Sequence, residues 1–267
     1  MERIQPLETQ LHALLPAPLQ VLCFDALPST NSFLKELSRQ GEERDTLCLA
    51  LSQTKGRGRL GRTFDSQPGM GLYLSLLLHP RIPPEKILPA TGLAAVAAAR
   101  GVESASGLSA GIKWMNDLIS NQKKLCGILA ELDASPEGSL RGLIMGVGIN
   151  IHQKRENFPQ ELRDTATSLA LEGHPASLLP LAAAVGGELL RLPMLLEKGE
   201  YEEYAKEYRR RCVTLNKEVL LVKNGTSAPA YALDIDEGFG LLVRRPDGTA
   251  ETITMGEVSV RGMCGYL

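Results

Sequence analysis

The segment that most constrains this chain is a basic, glycine-punctuated loop between two strand-like runs. Residues 53–64 read QTKGRGRLGRTF, in which four cationic side chains are interleaved with three glycines. An apolar run precedes the loop at 46–52, and the run at 72–78 carries leucine at every second position. Glycine permits positive φ and brings backbone N–H groups against a ligand. The pattern therefore predicts an anion-binding loop held between two strands of a sheet.

The apolar runs and turn residues predict an α+β fold with a mixed central sheet flanked by helices. Helices are expected over 2–15, 32–40 and 84–101, with one or two more over 180–211. Strands are expected at 20–26, 46–52, 72–78, 111–117, 123–133 and 140–151. Thr30 or Asn31 is the expected N-cap of the second helix. The order of the elements indicates a meander with its helices on one face rather than regular βαβ alternation.

The composition changes near residue 212. Beyond it, short β runs are separated by Asn-Gly and Asp-Gly pairs, at 224–225 and 247–248, which are strong hairpin signals. The sequence therefore predicts a large domain at 1–212 and a small all-β domain at 213–267.

The composition also favours a soluble, cytoplasmic protein. The five cysteines are odd in number and never form a C-x-x-C pair, which argues against a disulfide framework and a zinc site. The formal net charge of −2 gives no global basic field for nucleic acid. The apolar stretch at 87–99 is too short to cross a bilayer and predicts a buried helix.

Two short motifs point to other functions and lack the required context. Residues 56–61 spell G-x-G-x-x-G, but the loop leads into a strand, and no acidic residue follows at the distance that a dinucleotide site needs. Residues 107–111 spell G-x-S-x-G, but this segment follows a helix and precedes a strand, the reverse of a nucleophile elbow. The four histidines show no metal-ligand spacing.

The basic loop by itself also fits a solvated surface turn or an arginine–glycine segment that binds RNA. Arginine–glycine segments that bind RNA are longer and interleaved with aromatic residues, whereas Phe64 is the one aromatic residue within this loop. The remaining segments of the chain decide between these interpretations.

Four segments together resemble the biotin protein ligase family, whose members activate biotin with ATP and attach it to a carrier lysine. They are PSTN (28–31), QTKGRGRLGRTF (53–64), KWMNDLISNQKKLCGILAE (113–131) and GVGINI (146–151). GEVSVR (256–261) resembles the end of that family's SH3-like domain. The resemblance implies a class II synthetase-like catalytic domain, followed by an SH3-like C-terminal barrel.

The resemblance also implies roles for individual residues. The expected catalytic residues are Arg57, Arg59 and Lys124. The expected biotin-binding residues are Ser29, Thr30, Asn31, Gln53, Arg57, Gly58, Arg59, Lys124 and Gly127. The expected ATP-binding residues are Arg62, Phe64, Lys113, Asn116, Asp117 and Asn150, with Asp117 as the candidate ligand of Mg²⁺. Arginine suits these roles because its planar fork grips carboxylate and phosphate bidentately.

Several of these positions have a plainer interpretation. Ser29–Asn31 also fits an ordinary helix cap, and Lys113 also fits a structural salt bridge. Lys123 is expected to face solvent, since side chains alternate along a strand. Phe64 stands where the family usually has Trp, which reduces stacking area, and Met115 stands where Pro is usual.

The implied substrates are biotin and ATP with Mg²⁺, and the implied partner is a biotin carboxyl carrier protein domain, of acetyl-CoA carboxylase or a related enzyme. About twenty residues precede the first strand, so neither a DNA-binding domain nor repressor activity is expected. No membrane partner is expected, and the sequence leaves monomer and homodimer open. A lipoate or octanoate ligase and a non-catalytic biotin-binding regulator remain alternatives. Like charges and glycines predict that the basic loop is disordered without ligand.

Overall fold

A seven-stranded mixed sheet forms the framework of residues 20–150. The computed structural model describes residues 2–16, 18–223, 225–254 and 259–262. The strands follow the spatial order β1-β2-β3-β7-β6-β5-β4. They are β1 (Gln20–Leu27), β2 (Thr46–Gln53), β3 (Gly71–Leu78), β4 (Gly111–Lys113), β5 (Asp117–Ser120), β6 (Lys123–Ala134) and β7 (Leu140–Asn150).

Six α-helices accompany the strands in the described part of the chain. They are α1 (Gln5–Leu14), α2 (Thr30–Arg39), α3 (Ala90–Ser106), α4 (Leu178–Leu189), α5 (Leu192–Lys198) and α6 (Glu202–Arg211). β1 and β2 are connected by α2 and pair in parallel with each other. The other strand pairs of this sheet are antiparallel. The mixed sheet flanked by helices is therefore confirmed.

The helices pack on both faces of the sheet, so the expectation of helices on one face is wrong. Leu47 and Leu49 of β2 belong to the large core that includes α1, α3 and α4. Cys48 and Ala50 belong to a second apolar cluster, which contains Leu34 of α2. Because side chains alternate along a strand, apolar residues at every position of β2 bury both faces. The uninterrupted apolar run at 47–51 carried this signal.

Two predicted helix boundaries also differ from the structure. Ser29, rather than Thr30 or Asn31, caps α2, and its side chain accepts a hydrogen bond from the Ser32 N–H at 3.4 Å. The helix expected from residue 84 begins as a 3-10 turn at Pro84–Ile87, and α3 starts only after Pro89. α3 continues to Ser106, because the left-handed conformation that ends it falls on Gly107, with φ 75°.

A second, five-stranded antiparallel sheet follows α6, in the order β11-β10-β9-β8-β12. Its strands are β8 (Lys217–Lys223), β9 (Thr226–Ile235), β10 (Leu241–Arg244), β11 (Ala250–Ile253) and β12 (Ser259–Gly262). The predicted turn at 247–248 joins β10 to β11, with Gly248 at φ 88°. Asn224 of the other predicted turn and residues 256–258 of GEVSVR lie outside the described residues. The boundary at 212/213 stays a prediction.

One helical stretch, Leu178–Lys198, is long and apolar enough to cross a membrane by length and composition alone. In the structure it comprises α4 and α5, and 39% of its most apolar window is buried. Leu181, Val185 and Leu189 of α4 lie in the large core. The core helix of a soluble protein passes the same length and composition test, so this stretch is weak evidence for a membrane span.

Candidate active site

A cavity of about 380 Å³ opens over the middle of the seven-stranded sheet. Its walls come from the start of α2, the basic loop, the strands β3 to β7 and the segment at 158–166, with Val260 of the second sheet. Every candidate site residue identified from the sequence lines this cavity. The structure thus brings together segments that are more than 100 residues apart in the chain.

One end of the cavity is a buried cluster of uncharged polar groups. The side-chain oxygen of Gln53 accepts from the Thr30 N–H at 2.9 Å and from the Thr30 hydroxyl at 3.2 Å. The Gln53 amide donates to Ser66 Oγ at 2.9 Å. Ser75 Oγ lies 2.7 Å from both Thr30 Oγ1 and Asn31 Oδ1. Hydrogen-bonded in this way, the polar groups are held in fixed orientations.

The Asn31 side chain can lie against the floor of the cavity because Gly146 has no Cβ. A Cβ at Gly146 would lie 2.0 Å from Asn31 Oδ1, which no real contact allows. The Asn31 amide donates to the Leu129 carbonyl at 3.2 Å and to Glu131 Oε2 at 3.0 Å. Sequence reasoning missed Ser75 and Gly146. Their signal was present, since a serine inside the leucine strand at 72–78 and a glycine inside GVGINI both interrupt apolar strands.

The basic loop forms a small closed hairpin at the other end of the cavity. The Gly58 N–H donates to the Arg62 carbonyl at 2.8 Å, and the Phe64 N–H donates to the Gly56 carbonyl at 3.0 Å. Leu60 lies at the tip with φ 55° and with 69% of its surface exposed. The prediction that this loop is disordered without ligand is not tested by these contacts and stays a prediction.

Arg59 and Asn116 join the loop to the far side of the cavity. Arg59 Nη1 donates to Asn116 Oδ1 at 3.1 Å, and the Asn116 amide donates to the Ile128 carbonyl at 2.8 Å. Burial lowers the pKa of Arg59, and the nearby Asp117 carboxylate partly opposes this effect. An arginine pKa starts so high that the side chain stays cationic at neutral pH. Asn116 thereby fixes the guanidinium that faces the cavity.

Lys124 is paired with Asp117, and its Nζ lies 2.7 Å from Asp117 Oδ1. The main chain of Lys124 is held on both sides, because its N–H donates to the Thr165 carbonyl and its carbonyl accepts from the Thr167 N–H, each at 2.8 Å. The neighbouring Lys123 does not line the cavity. The structure therefore separates the two lysines as the alternation rule predicts, although both are only partly buried.

The Phe64 ring rests on a patch of sheet that has no Cβ atoms. Gly127 of β6 pairs with Gly148 of β7, and Cβ atoms there would lie 3.3 Å and 2.7 Å from the ring. The ring also meets Tyr73 edge to face, with centroids 6.4 Å apart. Phe64 thus covers part of the cavity floor rather than only its rim.

The segment 113–115 is clamped by residues that follow it by about 100 positions. The Trp114 N–H donates to Thr214 Oγ1 at 3.0 Å, and its indole N–H donates to the Phe239 carbonyl at 2.9 Å. The Tyr208 hydroxyl donates to the Met115 carbonyl at 3.0 Å. Lys113 is 8% exposed. The second sheet and the end of α6 therefore help to shape the cavity wall.

Asn150 is engaged with the protein itself. Its amide donates to the Thr167 carbonyl at 2.8 Å, and its oxygen accepts from Gln153 Nε2 at 3.1 Å. It lines the cavity, yet these bonds give it a clear role in holding the loop that carries Thr165 and Ala166. Among the described residues, no group of three or more His, Cys, Asp or Glu side chains is placed to hold a metal ion.

The comparisons with known proteins point to one group of enzymes. Residues 23–150 match the model of the family described as "Biotin/lipoate A/B protein ligase family". The chain is 46% identical over 146 residues to the bifunctional ligase/repressor BirA of Bacillus subtilis, covering 55% of this chain and 45% of that protein. It is 29% identical over 239 residues to the biotin–[acetyl-CoA-carboxylase] ligase of Mycobacterium tuberculosis, covering 86% and 85%.

Among solved structures, the biotin protein ligase from Aquifex aeolicus in complex with biotin and ATP superimposes with a TM-score of 0.77 at 28% identity. The match covers 91% of this chain and 99% of that one. A match over this share of both chains confirms the predicted fold class. The match to the first curated relatives spans less than half of their length.

Proposed function

Because residues 23–150 belong to the biotin/lipoate A/B protein ligase family, we propose that this chain is a biotin protein ligase. It activates biotin with ATP as biotinyl-5'-AMP and transfers the biotinyl group to a lysine of a biotin carboxyl carrier protein. The observation that carries the proposal is the composition of one cavity, with a buried polar cluster at one end and arginine and lysine side chains at the other. Biotin has the same division, a polar ureido head and an anionic tail.

The polar end favours biotin over the other acids that this family handles. Thr30, Gln53 and Ser75 offer hydroxyl and amide groups that suit the donors and acceptor of a ureido ring. Lipoate and octanoate present an apolar end, which cannot form hydrogen bonds with these hydroxyl and amide groups. A site built to hydrogen-bond its substrate discriminates strongly against an analogue without those groups. Biotin is therefore the substrate that this cavity fits.

The cationic end supports adenylate formation. A carboxylate oxygen of biotin attacks the α-phosphorus of ATP, a P–O bond forms, and the bond to the bridging oxygen breaks to release pyrophosphate. Two anions must approach each other, so the rate depends on fixed cations and N–H donors. Lys124 and Arg59 supply the cations, and the glycines of the basic loop allow its N–H groups to approach. Asn116 holds Arg59 in position for this step.

The nucleotide occupies the side of the cavity lined by Arg62, Lys113, Asn116 and Asp117. Mg²⁺ accompanies ATP and neutralises phosphate charge. It is bound in proteins mainly through phosphate oxygens, water and one or two carboxylates. A single carboxylate at Asp117, with no larger acidic cluster among the described residues, fits such a substrate-borne ion. Asp117, which is paired with Lys124, would also be the carboxylate that holds this ion.

In the second step, the amine of the carrier lysine attacks the acyl carbon of biotinyl-AMP. An amide bond forms, AMP leaves, and the amine loses a proton. The partner is the biotin carboxyl carrier domain of acetyl-CoA carboxylase or a related enzyme. This assignment agrees with the name of the Mycobacterium tuberculosis relative. A cytoplasmic location fits both this partner and the buried free thiols at 23, 48, 126 and 212.

The test is biotin-dependent exchange of labelled pyrophosphate into ATP. We expect exchange in the wild type and a fall of at least tenfold, about 1.4 kcal/mol, in Lys124→Ala, because this variant removes a cation from the reacting groups. Lys123→Ala is the matched control, since it removes the adjacent lysine without changing the cavity lining.

Exchange that depends on lipoate or octanoate instead of biotin would assign the chain to the other branch of the family. Biotin binding without any exchange would make the protein a regulator rather than an enzyme. Equal loss in Lys124→Ala and Lys123→Ala would contradict the role assigned to Lys124.

A further inference from the structure

Glu172 lies outside the cavity and joins two separate segments of the chain. Its Oε1 accepts from the Thr167 hydroxyl at 2.5 Å. Its Oε2 accepts from the Ser120 hydroxyl at 2.7 Å and from the Asn121 amide at 2.6 Å. Ser120 ends β5 and Asn121 begins the turn to β6, whereas Thr167 belongs to the segment that follows β7. One carboxylate thus connects a hairpin turn with a stretch of chain much later in the sequence.

The two segments that Glu172 connects lie on either side of the Lys124 main chain. Lys124 is the second residue of β6 and pairs with Ile119 of β5. On its other side, the Lys124 N–H donates to the Thr165 carbonyl, and the Lys124 carbonyl accepts from the Thr167 N–H. The position of this main chain therefore depends on both neighbours, and Glu172 links one to the other.

The turn between β5 and β6 has residues that strain it. Asn121 and Gln122 have φ values of 46° and 62°, both in the left-handed region. Two-residue hairpin turns with positive φ usually carry glycine at the second position, and a long side chain such as glutamine adopts this conformation at a cost. Such a conformation persists where the surrounding structure fixes it. The hydrogen bonds from Ser120 and Asn121 to Glu172 provide that support.

Glu172 is itself held by a closed turn. Its N–H donates to the Ser168 carbonyl at 3.0 Å. The buried Ser168 hydroxyl donates to the Gln153 carbonyl at 2.6 Å and accepts from the Leu171 N–H at 3.1 Å. The carboxylate therefore extends from a fixed base toward the hairpin turn.

We propose that Glu172 is a positioning residue for Lys124. It fixes the main chain from which the Lys124 side chain reaches Asp117 and the cavity. The inference rests on the proposed function, since it requires Lys124 to act on the carboxylate of biotin and the α-phosphate of ATP. A displacement of about 1 Å in a positioned group can lower a rate by about two orders of magnitude.

The charge of Glu172 would have an effect of the opposite sign. Removing a negative charge makes the protein more attractive to anions. By charge alone, Glu172→Ala would therefore raise the affinity for biotin and the rate of pyrophosphate exchange. Loss of positioning lowers both, so the direction of the change separates the two roles.

The first experiment measures amide hydrogen exchange at Lys124 and Thr167 and needs no activity. We expect both amides to exchange about tenfold faster in Glu172→Ala than in the wild type, the effect of about one net hydrogen bond. Glu8→Ala is the matched control. Glu8 also accepts three hydrogen bonds, from the Cys23 N–H and two nitrogens of Arg3, but it lies outside the cavity lining. We expect no change at the two amides in this control.

The second experiment measures pyrophosphate exchange at saturating biotin and ATP, together with biotin affinity by calorimetry. We expect the exchange rate to fall about tenfold in Glu172→Ala. Glu172→Gln should show a smaller loss, because it keeps one acceptor oxygen. In the Lys124→Ala background, Glu172→Ala should cause no further loss of rate or affinity, since two residues that act through one another are not additive.

A loss in Glu172→Ala that repeats in the Lys124→Ala background, in exchange or in biotin affinity, would overturn the proposal. Unchanged amide exchange at Lys124 and Thr167, or a wild-type exchange rate in Glu172→Ala, would also overturn it. Failure of the proposed function is a different result, namely an absence of biotin binding or of exchange activity in the wild type.

Discussion

The two ends of the cavity are built in contrasting ways from the same sheet. At the polar end, Thr30, Asn31 and Ser75 are buried and hydrogen-bonded to one another or to strands. At the cationic end, the basic loop projects from the ends of β2 and β3, with an exposed tip at Leu60. The polar end is part of the folded core, whereas the loop is attached to it by a few polar contacts.

Specificity and reactivity therefore reside in different parts of the cavity. A buried, fully paired network can recognise a shape and a hydrogen-bonding pattern only while it stays rigid, so its residues contribute to stability as well as to binding. Loop residues contribute little to stability, so the loop can carry several charged side chains without destabilising the fold. We therefore expect substitutions at the polar end to lower stability and affinity together, and substitutions in the loop to impair the reaction with little change in stability.

The largest effect is expected for Gly146→Ala. Its Cβ would displace the Asn31 side chain from the floor, and forced repacking of this kind costs about 1–3 kcal/mol of unfolding free energy. Urea unfolding and biotin titration measure the two consequences. Gly142→Ala is the control, because its Cβ would meet Leu77 and Ser38 outside the cavity. We expect that variant to lose stability but to keep its biotin affinity.

In the loop, Arg59→Ala is expected to lower the exchange rate strongly while leaving stability nearly unchanged. We expect pyrophosphate exchange to fall at least tenfold, about 1.4 kcal/mol, because a cation fixed by Asn116 is lost. The free energy of unfolding should change by less than about 0.5 kcal/mol, as for a substitution outside the packed core. A stability loss as large as that of Gly146→Ala would remove the distinction between the two ends.

Ser75→Ala tests the polar end without any steric clash. The Ser75 hydroxyl on β3 is hydrogen-bonded to Thr30 and Asn31. Its loss leaves a buried acceptor without this donor, which costs about 1–2 kcal/mol of unfolding free energy. The control is Ser52→Ala on β2, whose hydroxyl donates to the Asp25 carbonyl at an exposed position. We expect thermal unfolding to shift only for Ser75→Ala, together with weaker biotin binding.

Most strands, the second sheet and the cavity residues were predicted from the sequence, for physical reasons that differ between them. The strand expected at 111–117 is instead divided by a turn into β4 and β5. Leucine alternation over 72–78 and the Asp247–Gly248 pair are local signals, and both strand and turn lie where the signals indicate. The site residues were identified through the resemblance of four segments, and their positions around one cavity agree with it. Their individual roles stay predictions.

The missed features depend on contacts between distant segments. Glu131 follows apolar β6 residues and has no local pattern that marks its pairing with Arg57, 74 positions earlier. The clamp of Thr214 and Phe239 on Trp114 joins residues 100 or more positions apart. The placement of α2 on the opposite face was missed because β2 is apolar on both sides, and alternation gives no direction in such a strand.

The smallest effect is expected at Phe64, where the two ends of the cavity meet. The ring lies on the Gly127–Gly148 patch, and Trp would supply a larger stacking face over the same floor. If this ring covers the nucleotide side, Phe64→Trp should lower the KM for ATP about twofold, equivalent to about 0.5 kcal/mol of added aromatic contact. Phe64→Leu is the opposite control, since it keeps apolar bulk without a ring and should raise that KM. A change in the KM for biotin alone would instead place Phe64 with the polar end, because the patch it covers would then belong to the biotin site.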